Sequence, residues 1–154
     1  DKVKEYLYNF RGANRRYQIL YDKSIKIIDD YAHHPTEITA TINAAKKIET
    51  GKITVVFQPH RYSRTNFFLN EFAESLKLAD EVYLLPIYSA EEENIYNISS
   101  EKLAELIGGN TRVYSEEEIS DRVLNDNSSE NVYLFMGAGS ISRIANTIKN
   151  KLPL

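Results

Sequence analysis

Short, almost wholly apolar runs recur along this chain, and each is followed by a segment whose apolar residues repeat at helical spacing. Ile53-Thr-Val-Val-Phe57, Glu81-Val-Tyr-Leu-Leu85 and Val132-Tyr-Leu-Phe-Met136 are the clearest of these runs. A strand wetted on one side alternates polar and apolar residues, whereas an unbroken run belongs to a strand buried on both faces. Such strands build parallel sheets, and parallel neighbours need a long crossover, usually a helix. Helical patterns fill the intervals. One opens at Pro35 and Thr36, carries Ile38, Ile42, Ala45 and Ile48 on one face, and closes near Gly51. A second spans about Thr65 to Ala79 through Phe68, Phe72 and Leu76. Ser100 caps a third through Leu103, Leu106 and Ile107, stopped by Gly108-Gly109. Arg112-Val-Tyr114 gives a short strand, Glu116 to Leu124 a helix, and Gly137-Ala-Gly-Ser140 leads into a last helix to about Lys149. The expected fold is therefore α/β, a Rossmann-like and mostly parallel sheet with helices on both faces. One strand is a candidate exception. Tyr17-Gln-Ile-Leu-Tyr21 and Ile25-Lys-Ile-Ile28 are separated only by Asp22-Lys23-Ser24, a turn short enough for an antiparallel hairpin.

Residues 17–154 are expected to form one domain, and residues 1–16 to be the end of a preceding domain and a linker. Val3, Leu7 and Phe10 share one face of a short helical end with no capping residue ahead of it. The chain lacks cysteine, which removes disulfides, thiolate metal sites and cysteine nucleophiles, and its net charge of −3 argues against a broad nucleic-acid surface. No apolar stretch is long enough to span a membrane, so neither nucleic acid nor membrane is expected as a partner, and a cytoplasmic location is expected.

In an open parallel sheet, ligands sit beyond the carboxyl ends of the strands. Three polar clusters fall there: Asp29-Asp-Tyr-Ala-His-His-Pro35, Phe57-Gln-Pro-His-Arg-Tyr-Ser-Arg-Thr65 and Gly137-Ala-Gly-Ser140. Arg61 and Arg64, three apart at a strand-to-helix turn, suit bidentate binding of a carboxylate or phosphate, or else pair with helix carboxylates on the surface. His33, His34 and His60 are the only histidines. A tightly held zinc is not expected, since adjacent histidines point apart. A histidine bonded to backbone beside Pro35, or a ring serving as proton acceptor, suits them better. Gly137, Ala138, Gly139 and Ser140 resemble a truncated dinucleotide fingerprint with Ser142 at the third-glycine position. They fit either a tight turn or a helix N-terminus offering N–H groups to an anion. Arg15 and Arg16 read as a basic turn, and Glu91-Glu-Glu93 as a solvated surface.

Phe10-x-Gly12-x-x-Arg15-Arg16-Tyr17, Asp29-Asp-Tyr-Ala-His-His-Pro-Thr-Glu37 and Phe57-Gln-Pro-His-Arg-Tyr-Ser-Arg-Thr65 together resemble the C-terminal-domain motifs of the Mur ligases of peptidoglycan synthesis, most closely the branch that adds L-alanine. The resemblance implies an ATP- and Mg²⁺-dependent enzyme of three domains, in which the UDP-sugar and ATP are held mainly by domains outside this stretch. It implies that Arg61 and Arg64 grip the L-alanine carboxylate, and that Tyr31 and His33 line the same pocket, His33 being the catalytic candidate. It further implies that Asp30 meets the ATP ribose and that Arg16 lies near the transferred phosphate. L-Alanine, ATP and UDP-N-acetylmuramate are the implied partners. Ligases adding a dipeptide or recycling a tripeptide carry similar motifs. The glycine turn alone would also fit a non-catalytic nucleotide-binding module. No Gly-x-x-x-x-Gly-Lys-[Ser/Thr] occurs, so no ligation is expected of this stretch alone.

Overall fold

The computed structural model describes residues 15–154, so the helical end around Val3, Leu7 and Phe10 lies outside the described residues. Six strands form one sheet: β1 (Gln18–Asp22), β2 (Lys26–Asp30), β3 (Ile53–Phe57), β4 (Glu81–Leu84), β5 (Arg112–Val113) and β6 (Val132–Met136), in the order β1-β2-β6-β3-β4-β5. Every neighbouring pair is parallel except β1 with β2, the hairpin that the short Asp22–Ser24 turn allows. The register of β1 shifts between Ile19 and Tyr21, which kinks this edge strand.

Helices cover both faces. On one side α1 (Pro35–Ile48), α2 (Tyr62–Phe67), α3 (Leu69–Leu76) and α4 (Ser100–Ile107) follow β2, β3 and β4. Ile38, Ile42 and Ala45 of α1, Phe72 and Leu76 of α3, and Leu103 of α4 pack there on Ile28, Val55, Phe57, Leu84 and Leu134. On the other side α5 (Glu116–Leu124) and α6 (Ile141–Lys151) lay Ile119, Val123, Ile141, Ala145 and Ile148 against Ile27, Val56, Tyr83 and Phe135. Alternate residues of one strand thus enter opposite cores, and β3 and β6 are buried along their whole length. A two-sided burial of this kind is what removes the polar alternation from their sequences.

Three local boundaries differ from the sequence reading. The expected helix from Thr65 to Ala79 is two helices joined at Phe68, whose N–H donates to the Arg64 carbonyl and whose own carbonyl accepts from Phe72. No proline or glycine marks that joint; the Phe68 ring is wedged edge-on against His34 and Phe72. The cap of α4 is Ser99, while the Ser100 hydroxyl donates to the Leu85 carbonyl at 2.7 Å. Asp29 and Asp30 do not follow β2 but are its last two residues, both buried.

Candidate functional site

Register places the polar clusters. Asp30 pairs with Met136, Met136 with Phe57, and Phe57 with Leu84, so four parallel strands end on one row. Strand β6 arrives from the α5 face and inserts between β2 and β3. The turn after β6 therefore sits between the turns after its two neighbours. This is a topological switch point, where an open sheet leaves a crevice for a ligand.

The turn after β6 is packed from three sides. Gly137 has φ 149°, and a side chain there would meet the Gln58 carbonyl at 2.9 Å. A Cβ at Gly139 would lie 2.7 Å from Gln58 Oε1 and 2.8 Å from Tyr88 Cγ. The Gln58 amide donates to Ser140 Oγ at 3.0 Å, and Arg15 Nη2 donates to the Gly137 carbonyl at 2.7 Å. Beneath it, the buried Asp29 carboxylate accepts from Arg15 Nε at 3.3 Å and from Ser142 Oγ at 2.6 Å. Asp29 thus places a negative charge at the first turn of α6, where the helix dipole favours one.

A row of rings and guanidinium groups runs along the same edge. The Arg15 guanidinium lies 5.0 Å over Tyr31, Tyr31 meets His33 edge-on at 5.0 Å, and His33 lies 6.4 Å from His60. His60 in turn stacks on Tyr88 at 5.4 Å, and Arg64 Nη1 approaches His60 Nδ1 at 3.2 Å. Tautomers follow from these partners. His33 Nδ1 lies 2.9 Å from the Tyr31 carbonyl, which only accepts, so this nitrogen carries the proton and Nε2 presents a lone pair. A guanidinium only donates, so His60 Nδ1 is the unprotonated nitrogen of a neutral ring. Burial, with Arg64 and Arg61 nearby, pushes the His60 pKa below its ordinary value. His34 is a helix cap: its Nδ1 accepts from Thr36 N, and the Glu37 carboxylate accepts from the His33 and His34 N–H groups at 3.1 Å each. Those bonds outweigh the desolvation of Glu37 and hold its carboxyl below the usual range. Among the described residues no three His, Asp or Glu side chains are grouped to hold a metal.

The sequence-selected residues divide between two clefts. The first, of about 560 Å³, is lined by Arg16, Tyr17, Asp30, Tyr31, Glu37 and Thr41. Asp30 also serves the scaffold there, accepting from Tyr17 N and Ala32 N at 2.8 Å each and from Thr41 Oγ1 at 3.4 Å. A carboxylate has roughly four acceptor positions, so one remains. The second cleft, of about 460 Å³, brings Arg61 together with His60, Tyr88, Ala90, Glu91, Ala138, Gly139 and Ser140, so Glu91 of the acidic run belongs to a cleft wall and not only to the solvated surface. His33 stands between the two, edge-on to Tyr31. Arg64 does not share the cleft wall with Arg61; its guanidinium folds onto His60.

Three residues passed over in the sequence matter to this geometry. Arg15 ties Asp29, Gly137 and Tyr31 together. Tyr88, just after β4, closes the second cleft and forms a bridge with His60. Glu92 accepts from Ser63 N at 3.0 Å and Ser63 Oγ at 2.6 Å and lies 3.6 Å from Arg61. No local pattern announces these contacts. The one available signal was position, since Tyr88 and Glu92 follow a strand whose carboxyl end lies at the ligand edge.

Comparison with known proteins gives this arrangement a lineage. A family model described as Mur ligase, glutamate ligase domain, matches residues 15–139. The UDP-N-acetylmuramate–L-alanine ligase of Fusobacterium nucleatum is 44% identical over 164 residues, covering 99% of this chain and 35% of the relative. The enzyme of the same name from Aquifex aeolicus is 42% identical, with 93% of this chain and 32% of the relative covered. The crystal structure of UDP-N-acetylmuramate-alanine ligase MurC from Thermotoga maritima superposes with a TM-score of 0.73 at 33% identity, covering 97% of this chain and 32% of that one. The chain thus spans about a third of the length of these relatives. A sheet with one antiparallel hairpin, three converging strand-end turns and a family match reaching from Arg15 to Gly139 lead to one assignment: the chain belongs to the Mur ligase family, as its C-terminal domain.

Proposed function

We infer that this chain is the amino-acid-presenting domain of an ATP-dependent ligase that joins L-alanine to UDP-N-acetylmuramate. The observation that carries the reading is Arg61, a half-exposed guanidinium in a cleft at the switch point, walled on the other side by the close-packed Gly139-Ser140 turn. A guanidinium fork there suits a small amino-acid carboxylate, and the crowding at Gly139 suits a small side chain. In the whole enzyme, ATP phosphorylates the muramyl carboxylate. The alanine amine attacks the acyl carbon, phosphate leaves, an amide forms and a proton is released. In this reading His33 Nε2, the lone-pair nitrogen when the ring is neutral and Nδ1 bonds the Tyr31 carbonyl, orients the amine or takes that proton. Tyr31 packs on His33 and holds the ring.

The first cleft suits ATP. Arg16 offers a cation to the phosphates, and Asp30 has one acceptor position left for a ribose hydroxyl. Mg²⁺ in this reading is held mainly by the ATP phosphates and the rest of the enzyme. The Ala138-Gly139-Ser140 turn lines the second cleft, close to where the acyl phosphate and amine must meet. Closure of this domain over the ATP-binding one completes such a site.

Steady-state kinetics of the full-length protein, with each substrate varied in turn, test the reading. Arg61→Ala is expected to raise the alanine KM about 30-fold, corresponding to roughly 2 kcal/mol for a lost charge-assisted hydrogen bond. Arg61→Lys should recover part of it, because an ammonium keeps the charge and loses the fork. His33→Ala should lower kcat instead. An Arg61→Ala enzyme with normal alanine KM and a raised ATP KM would make Arg61 a phosphate ligand and reject the pocket assignment.

A further inference from the structure

Arg61 is fixed at its backbone but not by anything on its own helix at its tip. Its φ is 74°, its N–H donates to the Tyr88 carbonyl at 2.8 Å, and its carbonyl accepts from Thr65 N and Thr65 Oγ1. The side chain beyond that is long and 47% exposed. A free arginine side chain loses much rotamer freedom when it is immobilised. Some partner must restrict it if it is to present one fork to a ligand.

Glu92 is the only carboxylate within ion-pair reach of Arg61 among the described residues. It comes from the loop after β4, and that loop is shaped to deliver it. Tyr88 N–H donates to the Pro59 carbonyl at 2.8 Å, and the Tyr88 ring stacks on His60, which pins the start of the loop to the Arg61 turn. Ala90 and Glu91 then both take left-handed backbone, φ 49° and 68°, a costly pair for residues with side chains. Such strain persists where surrounding contacts over-determine it. The reversal returns the chain so that Glu92 caps α2, taking two hydrogen bonds from Ser63. Those bonds, more than Arg61 itself, keep its carboxyl below the usual range. The carboxylate is thus held by Ser63 and lies 3.6 Å from Nη1 of the guanidinium, beyond hydrogen-bond distance.

We propose that Glu92 is a positioning residue for amino-acid binding, an anchored counter-ion that aims the Arg61 guanidinium into the cleft shared with Gly139 and Ser140. The inference rests on the reading of that cleft as the alanine pocket. It also accounts for the strained loop, since the reversal at Ala90 and Glu91, which themselves line the cleft, brings Glu92 back to Ser63 and Arg61.

Glu92→Gln separates positioning from capping. A glutamine keeps an oxygen to accept from Ser63 N and an amide for Ser63 Oγ, so α2 stays capped while the charge is lost. In the full-length protein, Glu92→Gln and Glu92→Ala should both raise the alanine KM about three- to five-fold, the size set by a half-exposed ion pair. The ATP KM and kcat should stay within about two-fold. In an Arg61→Ala background Glu92→Gln should add nothing, because its effect passes through Arg61. The proposal fails if Glu92→Gln leaves the alanine KM unchanged while Glu92→Ala raises it, which would reduce Glu92 to a helix cap. It fails equally if Glu92→Gln lowers that KM, since the carboxylate would then be competing with the substrate. Full additivity with Arg61→Ala also rejects it. An Arg61→Ala enzyme with normal alanine KM would instead trace the failure to the pocket assignment.

Discussion

At position 60 an imidazole is kept neutral from two directions, by burial and by the guanidinium bonded to its Nδ1. Its folded pKa lies below the ordinary 6.5. As pH falls through 6.5 the unfolded chain takes up a proton that the folded domain refuses, so stability is lost on that side of the window and is intact above it. The thermal midpoint of the domain should therefore drop between about pH 7 and pH 5, and His60→Gln should flatten that slope; an unchanged slope in the variant would show that His60 does not carry it. Residues such as Arg61, Tyr31 and His33 were legible because costly side chains stood at strand ends. Arg15 and Glu92 were not, because a cation or a carboxylate on a polar stretch looks like any other. Arg15 acquires its meaning only when folding sets it beside a glycine carbonyl 122 residues away.

The turns that end β3 and β6 work as a pair, and glycine is what lets them touch. Gly139→Ala would push a methyl group into Gln58 and Tyr88. Overpacking of this sort costs about 1–3 kcal/mol, and here the displaced groups form the wall of the second cleft, so the alanine KM of the full-length enzyme should rise with it. Gly51 supplies the contrast. A Cβ there would collide with the Glu130 carbonyl at the amino end of the sheet, opposite the edge that carries the second cleft. Gly51→Ala should lower the thermal midpoint more than Gly139→Ala and leave the alanine KM alone; the reverse pattern would dissociate the turn from the pocket. Most elements could be read from apolar spacing, including all the buried strands. The break at Phe68 could not, since an aromatic wedge from a neighbouring helix leaves no mark on local periodicity. The end of β2 was misread for a related reason: Asp29 and Asp30 look like loop residues until Arg15 and Ser142 are seen to bond one oxygen of Asp29 and the Tyr17 and Ala32 amides to bond Asp30.

Taken whole, the chain spans about a third of the length of the relatives it matches. It contains no phosphate-binding Gly-x-x-x-x-Gly-Lys-[Ser/Thr] loop, so residues 1–154 assayed alone with UDP-N-acetylmuramate, L-alanine and ATP should give no amide product, and measurable turnover would overturn the division of labour proposed above. The α/β class and the ligand edge followed from alternation of strand and helix. The strand order did not, because nothing in β6 states that it will lie between β2 and β3; that choice is made by two helical layers competing for the faces of one sheet. The kink in β1 has a consequence of a different kind. A sheet with open edges invites other chains to add on, and this one has two. Among the described residues, one is β5, only two residues long, and the other is β1, whose register slips between Ile19 and Tyr21 just where Ile19 is half-exposed. A second copy meeting either border would find too short or too bent a template for a long strand pairing.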